Sequence, residues 1–261
     1  MDLGLKGKTA LVLGAGGGLG AAIAQTLAAE EAQIAVADIN REAAEKTVAA
    51  IVAAGGRAFA LEWDLGDIDA VPANIGRVEA ELGAVDVLVN ITGGPPPTLV
   101  SGQDAASWRK YFDAMVLSVI AITDAVLPNM REKKWGRIIT STSSGVVAPI
   151  PNLGLSNALR MSLLGWSKTL AAEVGRDGIT SNVILPGRVA TQRITFLDEQ
   201  KAKREGKTVE EVAAASTASI PVGRYGDPQE YADVVAFLAS ARASYLTGSV
   251  IRVDGGLIAS V

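Results

Sequence analysis

The sequence predicts an α/β fold, a single doubly wound parallel sheet of about seven strands with helices on both faces. Three observations carry this. Short apolar runs alternate with helical stretches along the 261 residues, the pattern of successive βαβ units. A glycine-rich turn, Leu13-Gly14-Ala15-Gly16-Gly17-Gly18-Leu19-Gly20, separates the first run from the first helix. No repeat, low-complexity tract or linker divides the chain, so residues 1–261 read as one domain.

Thr9 to Leu13 is apolar and branched enough for a buried strand, and Ala21 to Glu30 is rich in helix formers. Gln33 to Ala37 is a second strand ending at Asp38, and Arg41 to Ala54 a helix closed by Gly55-Gly56. Ala58 to Trp63 is a third strand ending at Asp64, and Ile68 to Leu82 a helix with Pro72 near its start. Val85 to Val89 is a fourth strand ending at Asn90. From Ser107 to Met130, Trp108, Tyr111, Phe112, Met115, Val116, Val119 and Ile120 recur at helical spacing, a stripe for core or subunit interface. Arg131, Lys133 and Lys134 follow and read as a solvated face suited to the helix dipole. Arg137 to Ser141 is a fifth strand, Leu153 to Val174 a helix and Ser181 to Leu185 a sixth strand. Residues from about 188 to 219, with the charged run Asp198 to Glu211, read as a mobile helical lid over a substrate. Tyr231 to Leu238 is a helix and Ser249 to Val253 the last strand.

The glycine turn has the form of a phosphate site. Glycines let backbone N–H groups approach an anion, and the following helix N-terminus adds about half a positive charge. Asp38 stands where a dinucleotide fold places the acid that accepts from the adenosine ribose diol. A carboxylate there disfavours a 2′-phosphate: like charges about 4 Å apart repel by roughly 4 kcal/mol at an effective dielectric near 20. NAD(H) is therefore expected over NADP(H), although Arg41 lies close enough to compensate in part.

Composition narrows the chemistry. A net charge of −4 argues against a nucleic-acid or anionic-membrane surface. With no cysteine and no histidine, thiolate chemistry and His-based acid/base catalysis are excluded. Met1 to Lys6 lacks a signal-peptide core, and no apolar run reaches membrane length without Gly or charge. A soluble cytoplasmic protein is expected.

These ordered segments resemble the short-chain dehydrogenase/reductase family over nearly the whole length, in particular 3-oxoacyl-carrier-protein reductases. Gly14, Gly16, Gly18, Leu19 and Gly20 match its glycine pattern, although Leu13 stands where a threonine is usual. Asp64-Leu65 matches its adenine-contacting pair, and Asn90-Ile91-Thr92-Gly93 is a degenerate form of its Asn-Asn-Ala-Gly segment. Pro186-Gly187-Arg188-Val189-Ala190-Thr191 matches the segment whose threonine holds the nicotinamide carboxamide. Ile220 to Arg224 and Val253 to Gly256 match as well. The resemblance implies an NAD(P)-dependent oxidoreductase of carbonyl or hydroxyl groups, forming homodimers or homotetramers.

At the catalytic positions the match fails. The family uses a serine, a tyrosine, a lysine four residues later and a helix asparagine. Counted along the chain from Arg137, these positions fall on Ser143, Ser156, Arg160 and Met115. A phenol ionises near pH 10 and an aliphatic hydroxyl nearer 16, so at roughly 1.4 kcal/mol per unit Ser156 is a far weaker proton carrier. Arg160 keeps a charge on the same helix face as Ser156 and offers a fork of donors to ribose hydroxyls, but transfers no proton near neutrality. Two readings follow. In one, Ser143, with Ser144 beside it, binds the carbonyl, and water held by Ser156 and the Arg160 field carries the proton. In the other, the chain binds the cofactor without reducing a carbonyl, as a partner subunit or a non-redox enzyme. Arg188 and Arg193 could recognise a carboxylate or phosphate on the substrate.

Overall fold

The run Thr9–Leu13 forms the first strand, β1, and its alternate side chains serve two separate cores. The computed structural model describes residues 2–261. Ala10 and Val12 point to one face of the sheet, Leu11 and Leu13 to the other, as a period of two requires. The following strands are β2 (Gln33–Asp38), β3 (Arg57–Glu62), β4 (Val87–Ile91), β5 (Gly136–Ser141), β6 (Ile179–Pro186) and β7 (Val250–Val253). All pair in parallel, in the order β3-β2-β1-β4-β5-β6-β7. The order reverses between β1 and β4, which opens a crevice at their C-terminal ends.

Helices α1 (Gly18–Ala29), α2 (Arg41–Ala53) and α9 (Pro228–Ala239) cover the first face through Ile23, Leu27, Ile51 and Val235. Helices α3 (Val71–Leu82), α5 (Ser118–Lys133) and α6 (Gly154–Val174) cover the second through Val78, Ile122, Val126 and Leu170. The fold class and the strand sequence agree with expectation, with strand ends shifted by one or two residues.

The long mid-chain helix differs in one respect. It runs from Ala105 to Lys133 but is interrupted by a π turn, Asp113–Leu117, between α4 (Ala105–Phe112) and α5. Met115 and Val116 in that turn join Val119, Leu159 and Leu163 in a small core against α6. The run is long and apolar enough to cross a membrane, yet Val119 and Ile122 are fully buried within the fold.

The cations at its end are not merely solvated. Lys133 Nζ donates to Asp86 Oδ1 (2.8 Å) and to Ala84 O, while Lys134 and Arg131 pair with Asp177. Buried Asp86 also accepts from the backbone N–H of Thr9 at 3.0 Å, so one carboxylate ties α5 to the start of β1. Asp86→Ala leaves that N–H unpaired and Lys133 without its carboxylate, and is expected to cost about 2 kcal/mol in denaturant unfolding. A loss below about half a kcal/mol would show that the tie is idle.

Candidate active site

The crevice is built first by the turn between β1 and α1. Gly14 sits at φ +62°, and a Cβ there would come within 2.7 Å of Ile91 O. A Cβ on Gly20 would lie 2.1 Å from Gly14 O, so any side chain forces the turn open. Asp38, at the end of β2, accepts from Gly16 N–H (2.9 Å) on Oδ2 and from Asn40 N–H (2.9 Å) on Oδ1. The acid is thereby docked onto the glycine turn, beside Leu19 at the start of α1. Thr47 adds a second tie from α2, donating to Ala15 O at 2.9 Å. Arg41 is drawn away to Glu45, with Nε 2.8 Å from Oε1.

Beyond β3, Asp64 accepts from Gly66 N–H at 2.8 Å, which fixes its turn next to half-buried Leu65. Across the switch point, Asn90 is fully buried; its Nδ2 donates to Thr140 Oγ1 (3.3 Å) while Oδ1 has no partner. The hydroxyl of Thr92 is likewise buried and unpartnered. Pro186 ends β6, and Gly187 passes so close to Asp254 that a Cβ would meet its Cα at 2.5 Å. Thr191 precedes α7 (Gln192–Glu205) and packs against the glycine turn, its methyl 3.4 Å from where a Gly18 Cβ would stand.

Ser143 lies just beyond β5. Its Oγ accepts from Gly145 N–H at 3.1 Å, leaving the hydroxyl proton free to donate, whereas Ser144 is buried in the short turn that follows. On α6, Ser156 and Arg160 are both buried. Asn157 between them holds the approach to the helix, donating from Nδ2 to Ile150 O at 2.9 Å.

Arg160 does not present an open fork. Nη2 donates to Thr92 O (3.1 Å) and Gly93 O (2.7 Å), and Nη1 to Ser141 O (3.5 Å). Three donors are thus spent joining the ends of β4 and β5, which corrects the picture of a guanidinium held ready for ribose hydroxyls. Two N–H groups remain. Burial, with the nearby charge of Arg193 second, pushes Arg160 down to about 10.

Arg188 also departs from expectation. It is paired with buried Asp198, whose other oxygen accepts from Tyr225 at 2.6 Å. Its charge is therefore already answered, and the trio fastens α7 to the body. The segment from about 188 to 219 holds two helices, α7 and α8 (Val209–Ala218), the latter opened by a capping box of Thr208 and Glu211. Arg193 is free of carboxylates among the described residues and donates to Pro95 O at 3.0 Å.

One residue was not legible as part of this region. Tyr231 on α9 is fully buried, and its hydroxyl shares a 2.8 Å hydrogen bond with Ser141, two residues before Ser143. The two are 90 residues apart, and only a tyrosine inside an apolar helix stripe hinted at a polar partner.

Comparison with known proteins matches this geometry. A family model described as Enoyl-(Acyl carrier protein) reductase matches residues 14–258. Short-chain reductase protein NovJ of Streptomyces niveus is 38% identical over 249 residues, covering 95% of this chain and 92% of that protein. The 3-oxoacyl-(acyl-carrier-protein) reductase FabG of Escherichia coli K12 is 36% identical over 258 residues, 98% of this chain and 99% of its own. Among solved structures, L-sorbose reductase from Gluconobacter frateurii, complexed with NADPH and L-sorbose, superposes with a TM-score of 0.94 over the full length of both chains at 28% identity. YwfH, an NADPH-dependent reductase involved in bacilysin biosynthesis, gives 0.93 at 27% identity, over 97% and 99% of the two chains. The chain belongs to the short-chain dehydrogenase/reductase family, NAD(P)-dependent oxidoreductases of carbonyl and hydroxyl groups.

The residues present fit a dinucleotide. The cradle at Gly14 and Gly20 has no room for side chains, and the buried, unpartnered Asn90 Oδ1 and Thr92 Oγ1 lie at the end of the neighbouring strand.

Burial raises the Tyr231 phenol above its usual range. A raised phenol stays neutral in the folded chain while the unfolded one ionises, so its stability is complete below about pH 10 and is lost as pH rises further. Tyr231→Phe should cost about 1 kcal/mol near neutrality, and the gap to the native chain should narrow above about pH 10. A gap unchanged to about pH 11 in denaturant unfolding would contradict burial of the neutral phenol.

Proposed function

We infer that the chain is an NAD(H)-preferring oxidoreductase of a small carbonyl or hydroxyl substrate, working through a non-standard proton carrier. The observation that carries this is the docking of Asp38 onto Gly16 N–H, which joins a ribose-binding acid to an intact phosphate turn. Gly14, Gly16, Gly18, Leu19 and Gly20 would hold the pyrophosphate, Asp38 the adenosine ribose, Asp64 and Leu65 the adenine edge. Asn90, Pro186, Gly187 and Thr191 would line the nicotinamide end, with the two spare N–H groups of Arg160. The nicotinamide supplies hydride chemistry. Ser143, its proton free, donates to the substrate oxygen. Ser156 holds a water whose proton transfer the buried Arg160 cation favours by stabilising negative charge.

The solved relatives named with NADPH are 27–30% identical, and their names speak for those proteins. Here Asp38 carries its charge where a 2′-phosphate would lie, and Arg41 is engaged by Glu45. A cytoplasmic setting, a homodimer or homotetramer, and no nucleic-acid or membrane partner complete the proposal.

A second reading, cofactor binding without carbonyl reduction, is favoured by one feature. Ser156 and Met115 replace both groups that move protons in the family pattern. Fluorescence titration with NADH followed by a carbonyl panel separates the two. Oxidation of NADH by at least one carbonyl supports the first reading; tight binding with none supports the second. NADH should bind at least about tenfold tighter than NADPH, and equal affinities would contradict the role given to Asp38. The paired change Ser156→Tyr with Arg160→Lys should raise small-ketone reduction about tenfold or more. No gain would mean that the missing acid is not what limits the rate.

A further inference from the structure

Two guanidiniums approach one stretch of loop, and neither meets a carboxylate among the described residues. Arg160 reaches Gly93 O from α6, and Arg193 reaches Pro95 O from α7. Both Nη2 atoms lie 3.6 Å from the point that a Cβ on Gly94 would occupy, so they are no farther apart than twice that distance. Arg188, Arg41 and Arg224, by contrast, each meet a carboxylate, on Asp198, Glu45 and Glu230. Buried Arg137 stands apart from other arginines, over the Trp135 ring at 4.5 Å.

Carbonyl oxygens offset the pair only partly, because each brings a partial charge. Arg193 keeps four unused donors, while Arg160, both Nη2 hydrogens already spent, contributes its charge beside them. Gly93 and Gly94 are exposed, so the space over them is open, and the buried Thr92 hydroxyl beside it lacks a partner. An anion placed there takes charge-assisted bonds from Arg193, lies beside the Arg160 charge and removes the repulsion between the two.

The geometry points to an anion subsite between Arg160 and Arg193, over Gly93-Gly94, that takes a carboxylate borne by the carbonyl substrate. This deepens the oxidoreductase reading and rests on it. The substrate is the source, rather than the cofactor's phosphates, on two grounds. The pyrophosphate has its own cradle at Gly14 to Gly20, and Arg160 lies one helical turn from Ser156, the residue proposed to hold the proton carrier. The substrate class is then a 2- or 3-oxo acid, or the matching hydroxy acid.

The test is calorimetric titration of 2-oxopentanoate and its methyl ester into the full chain saturated with NAD⁺, where no reduction can occur. The acid should bind about tenfold or more tighter than the ester. Arg193→Gln should abolish that preference and Arg193→Lys retain part of it. Gly94→Ala, whose methyl stands at ordinary contact distance from both arginines, should weaken it with the fold intact. NADH affinity should stay within about threefold throughout. Equal binding of acid and ester would overturn the subsite, as would Arg193→Gln weakening NADH as much as the acid. A preference for the acid without NADH oxidation by either compound would retire the reductase reading and leave the subsite standing.

Discussion

The crevice is held together by one buried guanidinium. Burying a charge costs several kcal/mol unless its donors are satisfied, and Arg160 meets that cost with carbonyls from Thr92, Gly93 and Ser141. Those carbonyls lie at the ends of β4 and β5, the two strands next to the switch point on one side. The same side chain therefore fixes α6, which carries Ser156, to the strand ends that frame the cofactor cleft. A lysine could not do this, having one nitrogen and no planar fork. Arg160 therefore acts largely as a clamp.

The cradle on the other side of the crevice is held by separate contacts. The glycine turn, Asp38 and the Asn90 strand end are rigid parts of the sheet, tied by main-chain contacts at Gly16, Asn40 and Ala15. Tyr231, the phenol nearest in the chain's fold to the β5 end, is buried against Ser141 and Ile184 and serves the sheet rather than the crevice.

Much of this was readable in advance because local patterns decide it. The alternation of Ala10 and Val12 with Leu11 and Leu13 is the sheet's two cores written in five residues. The glycine turn and Asp38 stand at fixed offsets from strand ends, so their proximity follows from the topology. What escaped notice depends on pairs far apart in sequence: Arg160 with Thr92, Lys133 with Asp86, Tyr231 with Ser141. Periodicity cannot see such partners, since it reports which face a side chain takes and not what waits there. The π turn at Asp113–Leu117 escaped for another reason: one extra residue in a helical turn leaves the apolar stripe nearly in phase. Arg188 looked like a free cation because Asp198 belongs to the next helix, whose docking only the folded lid reveals.

The clamp is tested most directly by equilibrium unfolding of Arg160→Lys beside the native chain. Loss of the fork should lower stability by about 2 to 3 kcal/mol, since carbonyls at the ends of β4 and β5 lose charged donors. Unfolding free energies equal within about half a kcal/mol would show that the guanidinium does not hold the crevice together.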